Sequence, residues 1–284
     1  MANIPVVCIT GCSSGFGFLT ALECAKTCQV IATVRSEKGK QALLEKSIKH
    51  NISIDIQFCD VTDPVSIDTL VTYIKTEYNR LDCLINNAGI GLGGFFEDTA
   101  MDQVETVFNT NCFGLMAMTK ACLPLLREST PAKIINISSI AGLSASPMIS
   151  IYNASKWAVE GFSESLMFEL KPFGIDVVLV EPGQFKTKIL SDNLHFGTDV
   201  HSEESIYYDV SQKALKAFQK KQAKGVPDPK PVVKLCAKLV HKKKPRFRYL
   251  IGWDAHFRLY FRRLLPFELY RWLINTVLAM AMKR

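Results

Sequence analysis

Acidic residues are scarce at the end of this chain. Residues 230–284 hold 14 basic and 2 acidic side chains, whereas residues 1–229 hold 20 and 25. A field this uneven favours anionic lipid surfaces, polyanions or phosphorylated ligands. Paired cysteines at C-x-x-C spacing are also missing. The nine cysteines are scattered, mostly inside apolar runs where a thiol acts as a small hydrophobe, so they read as neither a metal site nor a disulfide framework. A reducing compartment follows. No secretory leader precedes the first strand, and an intracellular protein, cytoplasmic or on the cytosolic face of a membrane, is expected. The last apolar stretch, Trp272 to Met282, runs eleven residues and contains Asn275 and Thr276. A spanning helix needs about 20. The scattered His195, His201, His241 and His256 form no ligand pattern, so no metal is expected. Without a linker, residues 1–284 read as one domain.

What is present is alternation. Short runs rich in Val and Ile (Val6–Thr10, Gln29–Val34, Ile52–Cys59, Leu81–Asn86, Lys133–Ser138, Ile175–Glu181 and Phe247–Ile251) do not alternate with polar residues, as expected of strands covered on both faces. Helical segments near 16–27, 37–49, 63–79, 101–128 and 153–171 separate them. The repetition predicts an α/β fold, a doubly wound, mostly seven-stranded parallel sheet with helices on both faces. Residues 185–230 break the rhythm. They follow a strand end, where ligand sites collect, and read as a substrate lid or a surface excursion.

The first strand runs into Thr10-Gly11-Cys12-Ser13-Ser14-Gly15-Phe16-Gly17. Glycines here permit a tight turn and let a pyrophosphate approach the backbone, and the following helix offers its free N–H groups to phosphate. The spacing is G-x-x-x-G-x-G, not the common G-x-G-x-x-G. The second strand ends at Arg35 without the carboxylate that usually holds a free ribose. Arg35 can fork onto a 2′-phosphate, which favours NADP(H) over NAD(H), or it is a solvated surface group. Asp60, beside Val61 at the third strand end, can accept from adenine or cap the next turn.

Tyr152 and Lys156 lie four apart, so a helix sets both on one face. A tyrosine hydroxyl titrates near ~10, and an adjacent ammonium favours the phenolate. Ser139 stands thirteen residues before the tyrosine and can hold a substrate oxygen. A lone Y-x-x-x-K is a weak signal. Its weight comes from the glycine-rich turn elsewhere in the chain.

Together these motifs resemble the short-chain dehydrogenase/reductase family. The resemblance rests on T10-G11-x-x-x-G15-x-G17, N86-N87-A88-G89, Asn111, Ser139, Y152-x-x-x-K156 and P182-G183 with Thr187, in the family's order across most of residues 5–190. The stretch from Ser139 to Lys156, the A-T-V-R strand end and Y249-L250-I251-G252 resemble 17β-hydroxysteroid and retinol dehydrogenases within it. Phe16, where smaller aliphatic residues are commoner, and the lack of a basic residue at Cys12 or Ser14 depart from the pattern. The resemblance implies a Rossmann-like fold. It implies that Tyr152 is the acid or base, Ser139 the oxygen holder, and Lys156 a ligand of the nicotinamide ribose. Asn111 would kink its helix and support a proton relay through water. Asn86, Asn87, Ala88 and Gly89 would wall the cofactor, and Pro182, Gly183 and Thr187 would hold the carboxamide.

Leu92, Phe95, Leu143, Met148, Ile149 and Phe185, with the lid, can enclose a bulky apolar ligand, although core packing explains any one of them. A steroid, retinoid or other lipid carbonyl is the expectation, resting partly on the resemblance. The tail from 253 to 284 mixes aromatic, aliphatic and arginine residues as a basic amphipathic extension, fit for peripheral membrane contact or for covering the core or a partner. Apolar faces on 101–128 and 153–171 are where the resembled family often forms dimers, so a homodimer is expected. Nothing points to nucleic acid, for the basic tail accompanies no groove-reading element. A cofactor sensor without catalysis is the other reading, and the proton-transfer set counts against it.

Overall fold

Seven β-rich runs line up in one parallel sheet in a computed structural model that describes residues 4–187, 193–223 and 225–282. The strands are β1 (Val6–Ile9), β2 (Gln29–Val34), β3 (Asp55–Phe58), β4 (Cys83–Asn86), β6 (Ala132–Ile137), β7 (Ile175–Pro182) and β9 (Arg248–Ile251). Their order is β3-β2-β1-β4-β6-β7-β9. Helices α1 (Gly15–Cys24), α2 (Glu37–Lys49), α3 (Pro64–Tyr78), α4 (Met101–Phe108), α5 (Gly114–Glu128), α6 (Ser150–Leu170), α7 (Tyr208–Ala223) and α8 (Lys230–His241) connect them; α9 (Trp253–Leu264) and α10 (Phe267–Met282) follow β9.

The two faces of the sheet explain why its strands are apolar throughout. Successive strand residues point to opposite faces. Val7, Ile9, Val30 and Ala32 pack against Ala21 and Cys24 of α1, Leu43 of α2 and Leu239 of α8. Val6, Cys8 and Ile31 face the other way, onto Leu70 of α3, Met118 of α5 and Leu166 of α6. Each face buries its own core, which defines the doubly wound arrangement the sequence predicts. β1 pairs with β2 on one side and β4 on the other. The chain therefore changes direction across the sheet at β1, and a crevice opens at the strand ends there.

Two features differ from the sequence reading. The predicted helix 101–128 is two helices, interrupted by a π-helical turn over Asn109–Phe113. An inserted residue of this kind is a recognised cause of helix bending. A second parallel pair also forms, β5 (Gly91–Gly93) with β8 (Leu194–Phe196). Its strands are three residues each, Gly-Leu-Gly and Leu-His-Phe, too short to carry a strand's periodic signal. Within 185–230 the structure shows β8 and α7; residues 188–192 and 224 of that segment lie outside the described residues.

Candidate active site

The crevice is a cavity of about 400 Å³. Its floor is the turn after β1. Gly11 has φ +72, a left-handed conformation that costs a side-chain-bearing residue energy. A Cβ there would also sit 2.7 Å from the Ala88 Cα. Gly17, in the first turn of α1, packs so closely that a Cβ would lie 2.3 Å from the Asn87 side-chain amide nitrogen. Asn87 in turn donates to the Thr10 and Gly11 carbonyls at 2.8 and 3.1 Å. The two loops thus lock together, and Gly11, Ser13, Ser14, Gly15 and Phe16 line the cavity while Gly17 lies behind it. Ser14 caps α1 without a side-chain hydrogen bond to the helix, so the first-turn N–H groups keep their capacity for an anion. This cradle fits a dinucleotide pyrophosphate.

Arg35 is exposed and lines the same cavity at the end of β2. Asp60 behaves otherwise. One carboxylate oxygen accepts from the Thr62 backbone N–H at 2.9 Å and its hydroxyl at 2.8 Å. It caps its own turn and lies outside the lining, while Val61 is part of it. Asn87, Ala88 and Gly89 are on the wall; Asn86 is not, being buried with its amide donating to Thr119 and Asn136.

The chemical groups come from β6 and α6. Helix α6 starts at Ser150, earlier than the sequence suggests, which puts Tyr152 in its first turn and Lys156 one turn later. Ser139 follows β6, and its hydroxyl oxygen accepts from the Ala141 N–H at 3.1 Å. All three line the cavity with Ser138. Burial pushes the Tyr152 phenol up to about 12, and a hydrogen bond from Ser139 works in the opposite direction. Burial pulls the Lys156 ammonium down to about 8, while electrostatic interaction with Cys112 and Glu160 opposes that fall. Lys156 Nζ donates to the Ile137 carbonyl at 2.9 Å and lies 5.8 Å from the Tyr152 ring centroid. The expectation of a tyrosine held near ionisation by its lysine thus meets a different balance in the protein alone: burial dominates, the opposing contribution comes from Ser139, and the phenol keeps its proton.

Asn111 lies in the π-turn behind the wall. Its oxygen accepts from the Ile90 N–H at 2.9 Å, and its nitrogen donates to the Ile90 carbonyl and to Ser155 Oγ, each at 3.0 Å. Both amide hydrogens are used within the protein, so this side chain clamps the β4–β5 connection to α6. Pro182, Gly183 and Thr187 line the far end with Phe185, whose ring meets Phe16 edge-on at 6.0 Å. Met148 and Ile149 are on the wall; Leu143 is not. Phe95 stacks on Tyr207 of the 185–230 segment at 4.2 Å. Ala214, Leu215 and Phe218 of α7 close one side.

Arg258 was not anticipated. It reaches the cavity from α9 and donates to the Ser144 carbonyl and Ser146 hydroxyl at 2.7 and 2.8 Å. Nor was the cluster beneath the lysine, where Arg248 bridges Glu160, Glu164 and Glu181.

A phosphate-binding turn, an apolar cavity and a Ser–Tyr–Lys set on its wall define a dinucleotide-dependent oxidoreductase, and comparison with known proteins agrees. The profile of the short chain dehydrogenase family matches residues 5–195. The chain belongs to that family. It is 41% identical over 94% of its length to an uncharacterised oxidoreductase, YusZ, of Bacillus subtilis, covering 95% of that protein. To a 3-ketodihydrosphingosine reductase of Bacteroides thetaiotaomicron it is 38% identical, covering 87% of each chain. To human retinol dehydrogenase 8 it is 34% identical, covering 87% of this chain and 82% of the other. A solved short-chain dehydrogenase from Streptomyces avermitilis superposes with a TM-score of 0.80 at 31% identity, covering 96% and 98%. The chain is an NAD(P)H-dependent oxidoreductase acting on a small apolar substrate.

Proposed function

We propose that this protein interconverts a carbonyl and a primary or secondary alcohol on a bulky apolar substrate, a steroid, retinoid or other lipid, with NADP(H). The observation that carries this reading is the convergence of Ser139, Tyr152 and Lys156 on an apolar cavity continuous with the glycine-rich turn. When bound, the nicotinamide supplies or accepts the hydride. In reduction, Ser139 holds the substrate oxygen and stabilises its developing charge, and Tyr152 gives its proton to that oxygen. Burial keeps Tyr152 protonated in the free site, the state from which reduction starts. In oxidation Tyr152 acts as the phenolate and takes the proton of the substrate alcohol, the phenolate being favoured by the Lys156 charge. Asn111 fixes Ile90 and the start of α6, so it positions the wall and the tyrosine.

Lipid substrates are favoured by Met148, Ile149, Phe185, Leu215 and Phe218 around the cavity. The relatives named for a keto-sphingoid and for retinol support the same breadth. Within the 185–230 segment, α7 serves as part of a lid. The exposed Phe113 of the π-turn and Trp157 and Phe168 of α6 favour a homodimer through α5 and α6.

NADP is preferred on the strength of Arg35 and the missing carboxylate after β2. A panel of keto-steroids, retinals and long-chain ketones, each with NADPH and NADH, tests both halves. Turnover of at least one apolar carbonyl is expected; none with any would sink the substrate assignment. Losing a charged hydrogen bond costs about 1.5–3 kcal/mol, roughly 10- to 100-fold. Arg35→Ala should therefore raise KM for NADPH by that factor and leave NADH nearly unchanged. An equal effect on both would remove the 2′-phosphate role.

A further inference from the structure

The C-terminal helices turn an apolar face outward. On α9, Trp253, Phe257, Tyr260 and Leu264 fall at i, i+4, i+7 and i+11, one side of the helix, and all are exposed, Trp253 by 81% and Leu264 by 78%. Trp253, Phe257 and Phe261 stack in a ladder with centroids 5.5 and 5.7 Å apart. Helix α10 adds exposed Trp272, Val277 and Met280. A helix on a water-facing surface normally shows the reverse pattern, and an apolar patch this extensive marks an interaction site.

The inner side of the same helices is fastened down. Ala255 is buried, Arg258 holds the Ser144–Ser146 loop, and the Tyr270 hydroxyl donates to the Ala145 carbonyl at 3.3 Å. Helix α10 also packs against α7, whose Ala214, Leu215 and Phe218 line the cavity. The outward face is thus a rigid platform beside the cavity.

We propose that α9 and α10 seat on an anionic lipid surface and that apolar substrate passes from it into the adjoining cavity. The substrate half rests on the function proposed above; the seating does not. Charge decides between a bilayer and a second copy of the chain. Arg263 is exposed on the flank of the aromatic stripe, and the guanidinium of Arg262 lies 4.9 Å from the Phe267 ring centroid. A two-fold contact would appose two copies of one face, whose helices hold Arg258, Arg262, Arg263 and Arg271 against Asp254 and Glu268. Anionic headgroups would instead neutralise the arginines, with Trp and Tyr at the depth they favour in a bilayer. Among the described residues no helix is long and apolar enough to cross a membrane, so the segment lies in the interface.

The test is flotation of the full-length protein with phosphatidylcholine vesicles, with and without phosphatidylglycerol. Binding to the anionic vesicles is expected, with a blue shift of tryptophan emission. The double variant Trp253→Ser/Phe257→Ser should lose binding at least about tenfold while keeping its melting temperature and its turnover of a water-soluble carbonyl. Arg263→Glu should weaken anionic binding alone. Wild-type protein that stays unbound, or a double variant that binds as well, would overturn the proposal. So would a double variant that reduces the oligomeric state, since a second copy would then cover the face. Vesicle binding without turnover would leave the seating standing and refute the catalytic function, and with it the passage of substrate.

Discussion

Tyr152 and Lys156 show how burial sets chemistry at single residues. Desolvation disfavours charge on both, driving the phenol up and the ammonium down. Below about pH 8 the lysine is charged and the tyrosine protonated, the combination that carbonyl reduction uses. As pH rises through 8, Lys156 loses its charge while Tyr152 keeps its proton. We therefore expect kcat/KM for reduction to be level in mild acid and to fall above about pH 8. A profile flat to pH 10 would show that Lys156 titrates elsewhere. The types and spacing of Ser139, Tyr152 and Lys156 were legible in the sequence because four residues make one helical turn. The direction of the tyrosine's shift was not, since burial depends on what folds over it. Asp60 was ambiguous for a similar reason: a carboxylate at a strand end can serve a ligand or its own turn, and here one of its oxygens serves Thr62.

Among elements, the strands were the most legible, because burial on both faces leaves a continuous apolar run. The break at Asn109–Phe113 was legible only through the family resemblance, which implies a kink at Asn111, since a π-turn inserts a residue without any helix-breaking sequence. Hidden was the clasp at the far edge of the sheet, where Arg248 of β9 holds Glu160 of α6 and Glu181 of β7. Burial and the neighbouring Glu181 raise the Glu160 carboxyl, with Arg248 opposing them. A carboxyl raised on folding contributes stability that is present below its unfolded value and lost as pH rises through its folded one. Glu160→Gln removes this loss and can still accept from Arg248. Its melting temperature relative to wild type should therefore improve from acid toward neutral pH. A difference constant between pH 4 and 8 would mean that Glu160 is ionised throughout.

At the scale of the molecule, the change of chain direction at β1 brings the glycine turn, the β6–α6 groups and the C-terminal helices around one cavity. Packing this remote in sequence, with α9 delivering Arg258 to a wall built mainly by the first 220 residues, leaves no local signal. The outer side of α6 is exposed too, and Trp157→Glu with Phe168→Glu should convert a dimer to monomer in sedimentation velocity. An unchanged sedimentation coefficient would place any dimer elsewhere. On the proposed function, a single cavity binds the dinucleotide on one side and performs proton transfer on the other. Tyr152→Phe separates the two, because the phenyl ring fills the same space without the proton. General acid–base catalysis contributes about 10²–10⁴-fold, so turnover of the preferred carbonyl should fall by that factor, with NADPH dissociation unchanged in a fluorescence titration. A variant retaining turnover within about tenfold of wild type would contradict the account.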